Sequence, residues 1–173
     1  LTTLAERLHA SPANEYLARG GYNEAVITWD VLGFKLKTRI DRLHVADNLI
    51  TVIDLKKCQV GKASDDAIQR ECLARGYHIQ AAFNVEAVEA IWPGVPVEWY
   101  VLFIEDAPPF GSNLIQATAA EIDLGVRSIG TQLRRFRDCE KSGRWYSYQN
   151  VIDRPHEGIL PLWYRQQMAR GEA

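Results

Sequence analysis

The chain has 173 residues, of which 47% are hydrophobic and 24% are charged. These values are ordinary for a globular protein, and a chain of this length can bury a substantial core, so we expect a single domain over residues 1–173. The net charge of −2 argues against a protein that coats duplex DNA through an overall positive charge. Because the chain begins with Leu1 and not with Met, we expect it to be an N-terminally truncated piece of a longer protein.

The three cysteines, Cys58, Cys72 and Cys139, are odd in number and too far apart for a CxxC pair. Their spacing argues against a disulfide framework, a simple zinc site and a four-cysteine iron–sulfur cluster, and favours free thiols in a reducing cytoplasm. No apolar run approaches the length of a membrane span, and the N-terminal residues do not resemble a signal peptide. We therefore expect a cytoplasmic protein without a membrane partner.

The N-terminal half of the chain predicts a short helix followed by a loop and three strands. In chain order these are a helix over 3–10, a loop over 11–23, and strands over 24–30, 33–42 and 49–57. Short connections between the strands predict an antiparallel meander. Alternation in the second strand puts Phe34, Leu36, Thr38 and Ile40 on one face, and Lys35, Lys37, Arg39 and Asp41 on the other.

The C-terminal half predicts two helices, two strands and a long amphipathic helix. In chain order these are helices over 64–75 and 77–91, strands over 98–105 and 112–118, and a helix over 119–141. From Ser142 onward, Gly, Pro and aromatic residues occur without a period, and we expect a packed irregular tail. The whole order predicts an α/β domain with a central mixed sheet flanked by helices.

Three charged side chains near the ends of the second and third predicted strands form a candidate catalytic site. Asp54 and Lys56 are two residues apart, so their side chains leave the same face of the strand. Their neighbours are apolar, and a buried strand does not normally carry such charges unless they have partners. Asp41 lies near the end of the neighbouring strand, where hairpin pairing would bring it close to Asp54.

Two carboxylates at such a distance repel each other, and a divalent cation relieves that repulsion. Mg²⁺, with Mn²⁺ as an alternative, keeps several waters, lowers the pKa of a bound water and polarises a phosphate, while Lys56 orients the water. The set therefore supplies what phosphodiester hydrolysis needs. The same spacing also arises in a structural salt bridge at a sheet edge, and these residues alone leave that alternative open.

The helix that follows adds Tyr77 and Gln80, which are three residues apart and share one helix face. The resulting combination resembles the core of PD-(D/E)XK nucleases and, more closely, the exodeoxyribonuclease VIII (RecE-type) family and its phage-encoded relatives. The resemblance spans roughly residues 22–165, and its central motifs are Arg39-Ile40-Asp41-Arg42, Ile53-Asp54-Leu55-Lys56 and Gly76-Tyr77-His78-Ile79-Gln80-Ala81-Ala82-Phe83.

The resemblance implies a restriction-endonuclease-like α/β core and a Mg²⁺-dependent exonuclease that resects one strand of duplex DNA for recombination. It implies catalytic roles for Asp41, Asp54, Lys56 and Gln80, metal binding by Asp41, Asp54 and Glu24, and DNA contacts by Tyr77, Arg39, Arg42 and Lys57. It also implies a single-strand annealing protein as a partner, and a homo-oligomer. The alternative interpretations are a nuclease-fold module that binds DNA or protein without catalysis, and a nuclease with another role such as restriction.

Overall fold

The computed structural model describes residues 3–145 of the chain. The chain divides into two compact units, Leu1–Leu133 and Arg134–Ala173. In the second unit, the rings of Phe136 and Trp145 pack edge to face with their centroids 5.1 Å apart. The first unit contains the sheet and the candidate site. The single domain over 1–173 stays a prediction.

Helices and strands alternate in blocks along the described residues. They are α1 (Leu4–His9), α2 (Ala13–Leu17), β1 (Tyr22–Val31), β2 (Phe34–Ala46), β3 (Leu49–Cys58), α3 (Asp65–Arg75), α4 (Tyr77–Ile91), β4 (Val97–Glu105), β5 (Ser112–Gln116) and α5 (Ala119–Ser142). Every predicted helix and strand is present with shifted ends. The predicted irregular tail lies, from residue 146, outside the described residues. Among residues 3–145, no helix combines the length and apolar character that crossing a bilayer requires.

The prediction of a loop over residues 11–23 is wrong in part, because α2 and the first residues of β1 fall within it. Helix α2 begins directly after Pro12, whose backbone φ of −56° already suits a first helical turn. A helix of five residues spans little more than one turn, so it shows no apolar period that a sequence pattern could reveal.

The five strands form one mixed sheet in the order β1-β2-β3-β4-β5. Strands β1, β2 and β3 pair antiparallel, which confirms the predicted meander. Strand β4 pairs parallel to β3, and β5 returns antiparallel to β4. A parallel step needs a long crossover, and α3 and α4 supply it. The crossover lays α4 across the face of the sheet on which Asp54 and Lys56 lie.

Gly76 separates α3 from α4 and fixes the direction in which α4 begins. It adopts a left-handed conformation with φ of 68°, and its N–H bonds the carbonyl oxygens of Cys72 and Leu73 at the end of α3. A residue with a Cβ adopts this conformation only with strain, whereas glycine adopts it freely. The two helices are therefore distinct, and α4 starts with Tyr77 beside the sheet.

The core has one cluster on each face of the sheet. The larger cluster joins the buried side of α4 to apolar residues of the strands, such as Ile40, Val52 and Trp99. Helix α4 approaches closely because much of its buried side consists of alanine and valine. On the other face, Ala13 of α2 packs with Ile53 and with residues of β4.

Helix α5 approaches α4 at Gly125, where there is no room for a side chain. A Cβ atom placed on Gly125 would lie 2.6 Å from the Cβ of Ala82, and closer still to the carbonyl oxygen of His78. Both neighbours belong to the early turns of α4, which carry Tyr77 and Gln80. The contact therefore helps to hold the end of α4 that faces the candidate site.

We expect Gly125→Ala to lower the free energy of unfolding by about 1–3 kcal/mol, because the added methyl group meets a helix backbone that cannot move away. This loss outweighs the gain in helix propensity from replacing glycine, which is at most about 1 kcal/mol. Denaturant unfolding followed by circular dichroism measures the change.

Gly20→Ala is the matched control, because a Cβ at Gly20 has nothing within 4 Å. Its free energy of unfolding should stay within about 0.5 kcal/mol of the wild-type value. Equal stability of the Gly125→Ala protein and the wild type would show that α5 does not pack on α4 as described.

Candidate active site

Strands β2 and β3 stop pairing at the point where the two candidate acids lie. The last paired residues are Arg42 and Ile53, and one more step in the same register would set Asp41 opposite Asp54. The side chain of Asp41 takes up the gap instead, and its Oδ2 atom accepts a hydrogen bond of 2.8 Å from the backbone N–H of Leu55. A carboxylate thus replaces a bond of the β-ladder, and both acids lie where the strands separate.

The strict alternation of β2 also ends here. Ile40 and Leu43 both pack in the cluster beneath α4 although they are three residues apart, so the pattern shifts between them. On β1, Glu24 lies next to the residues paired with this segment and has a φ of 54°, outside the β region. The alternation from which the face of Asp41 was predicted therefore does not extend to Asp41.

Asp54 is buried and contacts two side chains from two directions. Its Oδ1 atom accepts a hydrogen bond of 2.6 Å from Nε2 of Gln80 on α4. Its Oδ2 atom lies 2.6 Å from Nζ of Lys56, which confirms that Asp54 and Lys56 leave the same face of β3. The buried charge of Asp54 is thus paired, as expected for a charged residue on an apolar strand.

Burial is the main influence on the pKa of Asp54, and it raises that pKa above the ordinary value of an aspartic acid. The Lys56 ammonium acts in the opposite direction, the Asp41 carboxylate raises the pKa further, and the Gln80 hydrogen bond lowers it. The net shift is upward. The ionised form of Asp54 is therefore disfavoured in the folded protein, which is the electrostatic state that a bound cation relieves.

Lys56 is held on a second side by an aromatic ring. Its Nζ atom lies 4.9 Å from the centre of the Tyr77 ring, within the range of a cation–π contact. The Tyr77 ring in turn lies against Phe103, with their centroids 6.2 Å apart. Tyr77 and Gln80, one turn apart on α4, therefore contact the two members of the Lys56–Asp54 pair.

The acids fit a divalent cation that retains part of its water shell. The buried Oδ2 atom of Asp54 has no hydrogen-bond partner within the described residues apart from its ion contact with Lys56. Over residues 3–145 no group of three or more His, Cys, Asp or Glu side chains is arranged to hold a metal ion. Two carboxylates from Asp41 and Asp54 are nevertheless a suitable donor set for Mg²⁺, which commonly binds proteins through one or two carboxylates and several waters.

Other predicted site residues lie in different surroundings. Glu24 makes a surface ion pair of 2.9 Å with Arg39, so its carboxylate is engaged outside the Asp41–Asp54 pair. Arg42 donates a hydrogen bond of 2.8 Å to Asn23. Its guanidinium also donates to the backbone carbonyl oxygens of Leu17, the last residue of α2, and of Arg19, and Arg42 therefore ties the α2 segment to the strand that carries Asp41. Lys57 is exposed on β3, next to Lys56.

One buried acid at the end of a central strand was given no role from the sequence. Glu105, at the end of β4 and paired with Cys58, accepts backbone hydrogen bonds of 2.6 Å from Gly61 and 3.0 Å from Gly111. It joins the loop after β3 to the loop after β4. The available signal was an acid at the end of an otherwise apolar strand, which requires buried partners when the strand is central.

A central mixed sheet with a parallel step from β3 to β4 and flanking helices is the architecture expected of a PD-(D/E)XK core. Over residues 1–153 the chain matches the family described as "PDDEXK-like domain of unknown function (DUF3799)", and it belongs to that family. The predicted superfamily and fold class are thereby confirmed. The closer likeness to exodeoxyribonuclease VIII stays a prediction.

The chain is also similar to a solved protein from Eubacterium rectale described as a "putative exonuclease". The TM-score is 0.63 and the identity 15%, and the match covers 94% of this chain and 62% of that one. This likeness shows the fold, and the chain spans less than two thirds of that protein. A second match, to the solved structure of SSO0001, has a TM-score of 0.39 at 17% identity over 75% of this chain and 64% of that one, and carries no argument. Comparison with curated proteins gave no match.

We expect Asp54→Asn to raise the free energy of unfolding of the metal-free protein at neutral pH by about 1 kcal/mol. The pKa of Asp54 is higher in the folded than in the unfolded protein. Asp54 therefore contributes to the free energy of unfolding fully at pH values below its unfolded-state pKa, and this contribution is lost as the pH rises through its folded-state pKa. The neutral amide avoids this loss. The difference between the two proteins should therefore vanish below about pH 4.

Denaturant unfolding in the presence of a chelator, repeated across the pH range, measures this effect. Asp47→Asn is the matched control, because Asp47 is exposed in the β2–β3 turn. A lower stability of Asp54→Asn at neutral pH would mean that the Lys56 and Gln80 contacts outweigh the burial of the charge.

Proposed function

We propose that this domain is a metal-dependent deoxyribonuclease that hydrolyses phosphodiester bonds. The observation that carries the proposal is the convergence of Asp41, Asp54 and Lys56 at the point where β2 and β3 separate. An acid from each strand and an amine from the second form a compact set of the kind that phosphate hydrolysis requires. Membership of a PDDEXK-like family supports the same chemistry.

In this proposal each side chain has a separate task. Asp41 and Asp54 would hold Mg²⁺, or Mn²⁺ as an alternative, and the ion would supply a Lewis acid and a water of lowered pKa. Lys56 donates hydrogen bonds that orient the attacking water and balance negative charge on the scissile phosphate. Gln80 fixes the orientation of the Asp54 carboxylate through its bond to Oδ1, and Tyr77 limits the positions open to the Lys56 ammonium.

We further propose that the enzyme is an exonuclease that resects duplex DNA for recombination and prefers Mg²⁺. The resemblance to exodeoxyribonuclease VIII supports this narrower activity, a single-strand annealing partner and a homo-oligomer, and the three free cysteines support a cytoplasmic location. Lys57 and Arg39 are exposed and suited to contact the DNA backbone, with Tyr77 beside the site. Arg42 contributes by holding the end of α2, and Glu24 contributes to the metal site only if its pairing with Arg39 changes on binding.

The alternative function is that of a nuclease-fold module that binds DNA or protein and has lost catalysis. A buried acid–amine pair costs desolvation energy that a binding surface does not need, whereas hydrolysis uses both members. The two functions differ in one measurable respect, because a module binds DNA without cutting it.

We expect the full-length protein to degrade linear duplex DNA only when Mg²⁺ or Mn²⁺ is added. Asp41→Asn, Asp54→Asn and Lys56→Gln should each lower the rate by at least roughly a hundredfold, because each removes a ligand or a charge that acts in the transition state. Loss of end-labelled DNA on gels measures the rate, and closed circular DNA tests whether ends are required.

Asp47→Asn should cleave DNA at the wild-type rate, since Asp47 lies in an exposed turn away from the acids. Thermal unfolding with and without Mg²⁺ gives a second readout, and Asp41→Asn should lose the stabilisation that the ion gives the wild type. If the wild-type protein folds normally and binds DNA but does not cleave the DNA with either metal, it is the inactive binding module and the nuclease proposal is wrong.

We expect Tyr77→Leu to lower kcat on linear DNA by roughly threefold to thirtyfold, because the cation–π contact with Lys56 is lost. Tyr77→Phe keeps the ring and should retain most of the wild-type kcat. Steady-state cleavage assays measure both variants. If Tyr77→Phe lowers kcat as much as Tyr77→Leu does, the hydroxyl group of Tyr77 is the important part, and the proposal that its ring positions Lys56 is wrong.

A further inference from the structure

A cavity of about 240 Å³ lies beside the candidate active site in the first unit of the chain. Residues of β4 and β5 form its floor, among them Trp99, Val101 and Ile115, and residues of α3, α4 and α5 form its walls. Most of the lining is apolar. None of the residues assigned to metal binding lines it, so it is a separate feature of the molecule.

The cavity and the active site share one face of the sheet and one wall. Asp54 on β3 pairs with Val101 on β4, and Val101 pairs with Ile115 on β5. Neighbouring strands are about 4.8 Å apart, so the cavity floor begins one strand away from the Asp54 carboxylate. Tyr77 completes the connection, because its ring contacts the Lys56 ammonium and also lines the cavity.

The cavity opens to solvent and is small. Leu73 of α3 and Leu124 of α5 line it with 77% and 48% of their surface exposed, so these two leucines mark an open side. Pockets for drug-sized ligands usually measure about 300–1,000 Å³, and this one falls below that range. Its size therefore suits a single planar ring system.

Aromatic residues border this apolar cavity. Trp99 forms part of the floor with only 2% of the residue exposed, and its Nε1–H is buried, so Trp99 closes the cavity without offering a polar group to a ligand. The Tyr77 ring is less buried and offers a surface on which a bound planar ring can stack.

We propose that this cavity receives one unpaired nucleobase of the DNA strand whose phosphate lies at Asp54 and Lys56. The inference rests on the proposed nuclease function and names the form of substrate that the site takes. A nucleobase is planar and has apolar faces for aromatic stacking. The adjacency of cavity and acids lets one strand place a phosphate in the site and a base in the cavity.

A base can enter the cavity only after it has left the duplex, which costs a few kcal/mol and costs least where pairing is already absent. The enzyme therefore binds a strand end with an unpaired base more readily than a fully paired end. The selection depends on pairing and not on sequence, because every base has a face that stacks.

Short single strands that carry a fluorescent aminopurine at successive positions test the proposal, with a chelator present so that nothing is cleaved. Stacking in the cavity should change the fluorescence strongly at one position of the strand and weakly at the others. Leu124→Trp fills the open side of the cavity, and it should remove the position-specific signal and weaken strand binding roughly tenfold.

The matched control is Ile91→Trp, because Ile91 is exposed to a similar degree, 49%, and does not line the cavity. It should bind like the wild type. Leu73→Trp narrows the same open side of the cavity from α3 and should also weaken the signal. Because Leu73 is 77% exposed, this variant does not depend on how well Leu124→Trp folds.

Equal fluorescence changes at every position, no change at any position, or an unchanged signal in Leu124→Trp would each overturn the nucleobase site. Anilinonaphthalene sulfonate is a probe for apolar cavities. If it binds the wild type but not Leu124→Trp, and no position-specific aminopurine signal is seen, the cavity takes another apolar ligand and the nucleobase proposal is overturned. Metal-dependent cleavage by the same wild-type protein is scored separately. If DNA is cleaved while the base signal fails, the nuclease function stands and only the cavity assignment falls.

Discussion

The separation of β2 from β3 beyond Arg42 and Ile53 is the constraint from which the site follows. Continued pairing would occupy the Leu55 N–H with a strand carbonyl and leave no place for the Asp41 carboxylate. Separation exposes that N–H to Asp41 and brings a second acid beside Asp54. The sheet loses ladder hydrogen bonds at this point and gains an electrostatic pocket in their place, a trade between regular structure and function that is common at active sites.

Helix α4 fixes the positions of Asp54 and Lys56 in that pocket. It lies close to the sheet because its buried side chains are small, and α5 holds it there through the contact at Gly125. From this position the first turn of α4 contacts both Asp54 and Lys56. The same turn supplies Tyr77, which contacts Lys56 and also lines the neighbouring cavity. Packing between two helices therefore bears directly on the chemistry of the strands beneath them.

Much of this arrangement could be predicted from local sequence pattern. Apolar alternation and helical spacing identified the strands and long helices, and the two-residue spacing of Asp54 and Lys56 fixed their common face. The face of Asp41 was not predictable, because alternation describes a regular strand and Asp41 lies where regularity ends. Helix α2 was too short to show a period. The cavity was also beyond sequence reasoning, since helices and strands distant along the chain form it together.

The carboxylate of Glu105 has a mechanical consequence for the loops that follow β3 and β4. It bonds the backbone of the loop after β3 at Gly61 and the backbone of the loop after β4 at Gly111. The two loops, which leave adjacent parallel strands on the same edge of the sheet, are thereby fastened to one anchor. Displacement of one loop therefore also strains the other, and the two loops are mechanically coupled through one side chain.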